Sequence, residues 1–311
     1  MTPCANLALA DGRRWRVEGE GIWANQLVAS LAWIMRLPVG DGQGRTLRLR
    51  SDDRTPGSDS RAVSPFPRVV WPDDPTQPVE CLADAQSGAQ ALAVLMTLAS
   101  IFVQDAQGRG GVLLHGALAA REGRGVVLVG PSGMGKSTAA RRLPPPWQAR
   151  CDDTTLVVRD GRGQYWAHPW PTWSQFAFNG PGGSWDVTVA SHLDAICCLS
   201  QAECDRVEAV GKGGAVHLLV NAAEVNGQMP TAPTLPQDQA RQARLQRFDN
   251  LCQLARAVPV YLLHISRDGA FWREIEQVVL GGGLPRRSAE SSESPAARDV
   301  APRCFPKPDA P

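Results

Sequence analysis

Residues 130–137 read Gly-Pro-Ser-Gly-Met-Gly-Lys-Ser and fit the pattern G-x-x-x-x-G-K-[ST]. Few octapeptides restrict a chain as much, because this one has to end a strand, wrap an anion and open a helix. The flanks agree: Val126 to Val129 is an apolar incoming strand, and Ser137 to Leu143 can begin the outgoing helix. Glycines let the backbone curl until successive N–H groups point at phosphate oxygens, and a helix N-terminus adds favourable electrostatics. Lys136 would reach the β- and γ-phosphates, and the Ser137 hydroxyl would complete the coordination of Mg²⁺. The candidate nucleotide-binding residues are therefore Gly130, Pro131, Ser132, Gly133, Met134, Gly135, Lys136, Ser137 and the adjacent Thr138. A plain glycine-rich turn would leave Lys136 and Ser137 at these positions without a reason.

Sixteen residues after Lys136 (152 − 136) the chain reads Cys151-Asp152-Asp153, followed by the apolar Leu156-Val157-Val158. In most P-loop proteins the metal-associated acid ends an apolar strand much further along; here the acids come first. A short P-loop helix ending near Pro144-Pro145-Pro146 would bring the chain back to the phosphates. Two adjacent carboxylates can divide the labour, one holding Mg²⁺ and one accepting the proton of an attacking hydroxyl. The plainer reading makes both residues a solvated turn before Thr154. His115-Gly116 lies within the apolar run Val112 to Leu118, where a lone histidine is more often a satisfied strand residue than a catalytic one.

Composition narrows the partners. Lys and Arg total 32 against 31 for Asp and Glu, so no global field favours nucleic acid or an anionic membrane. Hydrophobic residues at 43% supply a core. The eight cysteines include no C-x-x-C pair, which signals neither a disulfide scaffold nor a zinc ribbon. The N-terminus places its arginines after a short apolar stretch, the wrong order for a signal peptide, so the expected location is the cytoplasm. The most apolar run, Ala89 to Val103, is shorter than the ~20 residues that cross a bilayer and reads as a buried helix.

Along the chain, residues 1–80 read as a small α+β region: strand-like Trp15 to Val17, helix-like Trp23 to Met35, strand-like Thr46 to Arg50. Its end is rich in proline from Arg54 to Pro78 (Pro56, Pro65, Pro67, Pro72, Pro75, Pro78), which reads as a linker or wrapped loop. Residues 81–283 form the second unit, an α/β (α+β) domain. It comprises a helix from about Ala83 to Val103 and strands at Val112 to Leu118, Val126 to Val129, Thr155 to Val158, Ala195 to Leu199 and Val260 to Ile265. An amphipathic helix spans Asp238 to Ala257, with Asp238 as N-cap and Ala243, Leu251, Leu254 and Ala255 on the apolar face. A last helix, Phe271 to Leu280, is closed by Gly281 to Gly283. Residues 284–311 lack apolar periodicity and read as a disordered tail.

The ordered set HGALAAREGRGVVLVGPSGMGKST, then CDDTTLVV, resembles the catalytic domain of HPr kinase/phosphorylase, of the phosphoenolpyruvate carboxykinase-like group. Within that group, PPPWQARCDD with HPWPTWS and PVYLLHIS is similar to the SynChlorMet cassette protein ScmC family. The resemblance covers about Gly110 to Leu280. It implies an HPr kinase C-terminal-domain-like P-loop fold, ATP and Mg²⁺ as cofactors, and His115 near the transferring phosphate. It further implies a base and a metal role shared between Asp152 and Asp153, without fixing which takes which; we take Asp152 as base and Asp153, with Ser137, as metal partner, and Lys136 as charge stabiliser. Thr138 stands where HPr kinases carry an acidic residue, and their downstream Glu/Arg signature is not evident.

The expected activity is an ATP-dependent kinase that transfers the γ-phosphate to a hydroxyl of a peptide or protein. The family context suggests a ribosomally made precursor peptide. The competing readings are a nucleotide-responsive protein that presents a precursor without phosphorylating it, an ATPase, and a carboxykinase acting on a small acid. Neither nucleic acid nor membrane is expected as a partner, and self-association is left open. Trp166, His168, Trp170, Trp173 and Trp185 are either core and loop anchors or a peptide-binding wall. Lys212-Gly213-Gly214 lacks phosphate-loop spacing, and Arg241, Arg244 and Arg247 read as a solvated helix face.

Overall fold

The computed structural model describes residues 4–51, 67–83, 88–176, 182–227 and 237–279. Pro56, Pro65, the glycines after Leu280 and the 284–311 tail lie outside the described residues. The first region builds β1 (Ala5–Ala8), β2 (Arg14–Gly19), α1 (Ile22–Met35), β3 (Arg45–Ser51), β4 (Arg68–Val70) and β5 (Val79–Ala83). These strands form one sheet in the order β1-β2-β3-β5-β4, parallel between β2, β3 and β5. Helix α1 buries Ala24, Val28, Leu31, Ala32 and Met35, the three-to-four spacing of one helical stripe. The proline-rich stretch is not all loop: β4 lies between Pro67 and Pro72 and pairs with β5 at the sheet edge, where flanking prolines remove no ladder donor.

The strand β5 runs through Ala83, so the following helix begins later than its apolar pattern suggests: α2 spans Gly88–Gln107. It is long and apolar enough to cross a membrane by length and composition, yet Val94, Leu98, Ile101 and Phe102 are buried inside the protein core.

The second sheet contains β6 (Val112–Arg121), β7 (Arg124–Val129), β8 (Gln148–Cys151), β9 (Thr154–Arg159), β10 (Tyr165–Trp170), β11 (Ser191–Gln201), β12 (Arg206–Ala209) and β13 (Val260–Ile265). Its order is β10-β9-β6-β7-β11-β13-β12, with β8 also on β6. Two pairs, Trp166↔His192 and Ala167↔Ser191, join β10 to β11 as well, so β10, β9, β6, β7 and β11 close a ring. The helices are α3 (Lys136–Arg142), α4 (Lys212–Gly227), α5 (Gln237–Ala257) and α6 (Trp272–Val279).

Both faces of the central strands are apolar because both are covered. Leu118, Val127, Val129, Ile196 and Cys198 enter the large core shared with α1, α2, α4 and α5. Their neighbours Ala117, Val126, Leu128, Ala195 and Cys197 enter a second core under α3 and α6, with Ala139, Trp147, Phe271 and Ile275. This period-two division explains why the strands read as continuous apolar runs.

In α5 the apolar face is shorter than its sequence pattern. Leu251, Leu254 and Ala255 are buried but Ala243 is exposed, and Asp238 lies in the first turn rather than at the cap. Burial starts at Asn250, whose side-chain amide donates to the carbonyls of Gln107 (2.7 Å) and Gly111 (3.0 Å).

The first sheet is tied to the second through buried polar groups. Trp185 N–H donates to Ile34 O at 2.7 Å. The Ala10 N–H donates to His168 Nε2 (3.2 Å), and His168 Nδ1 lies 2.8 Å from Val187 O. Those partners require the neutral tautomer with its proton on Nδ1.

Candidate functional site

One strand sets the site's dimensions. On one side of β6, Gly116 pairs with Val129, the last residue before the P-loop. On the other, His115 pairs with Thr154 and Leu118 with Cys151, so β8 and β9 both lie on β6 and Asp152-Asp153 form the turn between them. Gly116 thus brings the P-loop and the acidic turn within reach of each other. A Cβ on Gly116 would meet the Cγ1 atoms of Val127 and Val129 at 2.8 Å each. The turn is fastened from below: Thr155 Oγ1 donates to Gly116 O at 2.8 Å, and Cys151 Sγ donates to Thr154 O at 2.9 Å.

The P-loop runs from the end of β7 into α3. Gly133 (φ +80°) and Gly135 (φ +95°) take left-handed conformations that side chains oppose, and Gly135 caps α3. Pro131, Ser132 and Gly133 are exposed and Met134 packs on the second core. Lys136 is 6% exposed, and its Nζ donates to the loop's own carbonyls, Gly130 O at 2.9 Å and Pro131 O at 3.2 Å. Burial pulls its pKa down, and the nearby Asp153 carboxylate opposes that shift.

The acidic turn meets this loop. Ser137 Oγ donates to the Asp152 carbonyl oxygen at 3.4 Å. His115 Nδ1 lies 3.3 Å from Asp153 Oδ1. Burial lowers the His115 pKa; Asp153 raises it and Lys136 lowers it further. Asp152 Oδ1 accepts a hydrogen bond from Thr172 Oγ1 at 3.5 Å. The structure therefore brings together His115, Lys136, Ser137, Asp152 and Asp153, whereas Thr138 points to solvent. Thr172 was not singled out from the sequence. It lies in a Trp- and Pro-rich run whose pattern carries no sign of a hydroxyl aimed at a carboxylate.

The tryptophans are anchors. Trp170, Trp173 and Trp185 are buried in the large core, and Trp173 and Trp185 each pack on Phe176 at 5.8 and 6.0 Å between ring centroids. Half-buried Trp166 donates Nε1–H to Asp160 Oδ2 at 3.1 Å. Lys212 to Gly214 open α4, and Arg241 and Arg244 are exposed on α5.

A family model described as SynChlorMet cassette protein ScmC matches residues 79–280, well over half of the 311-residue chain. The chain belongs to the ScmC family. A search of curated proteins returned no match. The span shared with ScmC proteins starts at β5, a strand of the first sheet, and includes His115, the whole P-loop and both aspartates.

The donor set of this ScmC-family chain suits a hard cation. Among the described residues no group of three or more His, Cys, Asp or Glu is placed to hold a metal. The oxygens on this side of the P-loop include the Ser137 hydroxyl, which meets the Asp152 carbonyl, and the Asp153 carboxylate, which lies near Lys136. Mg²⁺ is commonly held by one or two such oxygens, the remainder coming from phosphate and water. The residues present fit Mg²⁺ with a nucleotide, Ser137 and Asp153 being those that would hold the ion.

Proposed function

We propose that this ScmC-family protein is an ATP-dependent kinase with an HPr kinase-like P-loop domain. It transfers the γ-phosphate to a hydroxyl of a peptide or protein, a ribosomally made precursor in a SynChlorMet-type cassette. The observation that carries the reading is the meeting of the Asp152-Asp153 turn with the P-loop, the Asp152 carbonyl oxygen at Ser137 and the Asp153 carboxylate near Lys136, held by β6 between them.

In this reading the loop N–H groups and Lys136 Nζ take the phosphates, so Lys136 exchanges its two loop carbonyls for phosphate oxygens. Asp152, oriented by Thr172, accepts the proton of the acceptor hydroxyl as its oxygen forms the new bond to the γ-phosphorus and the bond to the ADP oxygen breaks. Burial favours the neutral form of His115, which can present Nδ1–H to the Asp153 carboxylate. Bound Mg²⁺ would neutralise phosphate charge during transfer. ATP supply puts this activity in the cytoplasm.

The test is to incubate the purified protein and the cassette peptide with γ-labelled ATP. Label on the peptide supports the kinase; free phosphate alone with every cassette peptide means an ATPase. If Asp152→Asn leaves cassette maturation intact while Lys136→Ala impairs it, nucleotide-dependent presentation replaces transfer.

A further inference from the structure

The first sheet and the end of α2 enclose a second charged site that the P-loop chemistry does not use. Asp11, Gly12, Arg13, Arg14, Gln43, Gly44, Arg45 and Arg109 line a cleft of about 520 Å³. Arg109 also lines a neighbouring cavity with Asp105 and Trp71. Four guanidiniums and two carboxylates meet here, a surplus of two positive charges.

The carboxylates are already committed. Asp11 accepts from Arg109 Nη2 at 2.6 Å, from Arg109 Nε at 3.2 Å and from the Arg13 backbone N–H at 3.0 Å. Asp105 is paired with Arg109 and with Arg13 at 3.2 Å. Two of the guanidiniums are less closely paired with carboxylates. Arg45 lies 3.8 Å from Asp105, its Nε is buried without an acceptor, and its guanidinium is held over Trp15 and Trp71 at 5.5 and 5.1 Å. Arg14 is exposed and has no ion pair among the described residues.

A fixed guanidinium fork matches phosphate oxygens two at a time. We propose that this cleft binds a phosphate monoester dianion through Arg14 and Arg45, with Arg13 and Arg109 completing the positive wall. A dianion cancels the surplus of two charges, whereas one carboxylate leaves half of it. The volume greatly exceeds a phosphate group and leaves room for whatever carries it. The inference does not depend on kinase activity.

Calorimetric titration of the full chain with inorganic phosphate and with O-phosphoserine tests it, using acetate as the monoanion control. Arg14→Gln, Arg45→Gln and Lys136→Ala run in parallel, because the P-loop also attracts phosphate. Binding of either phosphate probe that survives Lys136→Ala and weakens about tenfold in Arg14→Gln supports the cleft. Tighter binding of phosphoserine identifies a presented ester; equal binding identifies free phosphate. Since Arg45 also packs on two tryptophans, its variant is read only if its thermal unfolding matches wild type, and Arg14→Gln decides otherwise. Loss of all binding in Lys136→Ala, indifference to Arg14→Gln, or equal binding of acetate overturns the proposal.

Discussion

His115 Nδ1 lies 3.3 Å from Asp153 Oδ1, two residues brought together only because β9 lies antiparallel on β6 with Thr154 opposite His115. Burial, reinforced by Lys136, keeps His115 neutral to lower pH than a free imidazole, against the pull of Asp153. Protonation would turn a neutral donor into a cation competing with Lys136 and Mg²⁺ for Asp153. Phosphate transfer should therefore be flat above the ordinary histidine pKa of 6.5 and fall only at more acidic pH. His115→Asn should shift that acid limb. Initial rates from pH 5 to 8 give the profile, and an unshifted limb would remove His115 from it.

The two aspartates should be separable by which step fails. Asp152→Asn is expected to retain Mg²⁺–nucleotide binding and lose transfer by about 10²–10⁴-fold, the usual scale for a lost general base. Asp153→Asn should weaken Mg²⁺-dependent nucleotide binding itself. Lys136→Ala should weaken binding and slow transfer by about a hundredfold or more. Calorimetry with ATP and Mg²⁺ beside single-turnover rates distinguishes the three, and identical losses in both aspartate variants would erase the division of roles.

Gly116→Val should destabilise the fold by about 1–3 kcal/mol through overpacking, since even a Cβ meets Val127 and Val129 at 2.8 Å. Because the same strand spaces the P-loop from the acidic turn, nucleotide affinity should fall with it. Urea unfolding and nucleotide titration measure both; a variant of wild-type stability and affinity would contradict this account of β6.

His168 is fully buried, and burial pushes its pKa down despite the Val187 carbonyl and Asp11. A depressed histidine pKa means the unfolded chain binds the proton first. The stability this neutral side chain supports is complete above about pH 6.5 and is lost as pH falls towards its folded pKa, at about 1.4 kcal/mol per pH unit at most. Urea midpoints from pH 7.5 to 5 should drop for wild type. They should drop less for His168→Gln, which has lower stability at pH 7.5 but no imidazole to charge.

Much of this architecture is legible in the chain because it is local. A strand, a glycine-rich turn and a helix start at Lys136 follow from the octapeptide alone. Continuous apolar runs mark β6, β7, β9, β11 and β13, since both faces of these strands are buried. Elements without that signal escaped: β8 is exposed along most of its length, β10 ends in Pro169-Trp170, and β4 is three residues between prolines. Ala243 is exposed because burial along α5 begins only at Asn250, a limit no helical periodicity records.

The sequence by itself determined where a glycine-rich phosphate-loop pattern and an adjacent pair of acids lie, because glycine conformations, the lysine charge and carboxylate oxygens are properties of residues. Only the tertiary structure decided how they meet. Strand register along β6 sets His115 against Asp153 and the acidic turn against Ser137, and placing Thr172 on Asp152 took a return of the chain through β10. The same is true of the arginine cleft, whose members come from β1–β2, β3 and the end of α2. Charges so far apart in sequence acquire a common field only when packing removes the water between them.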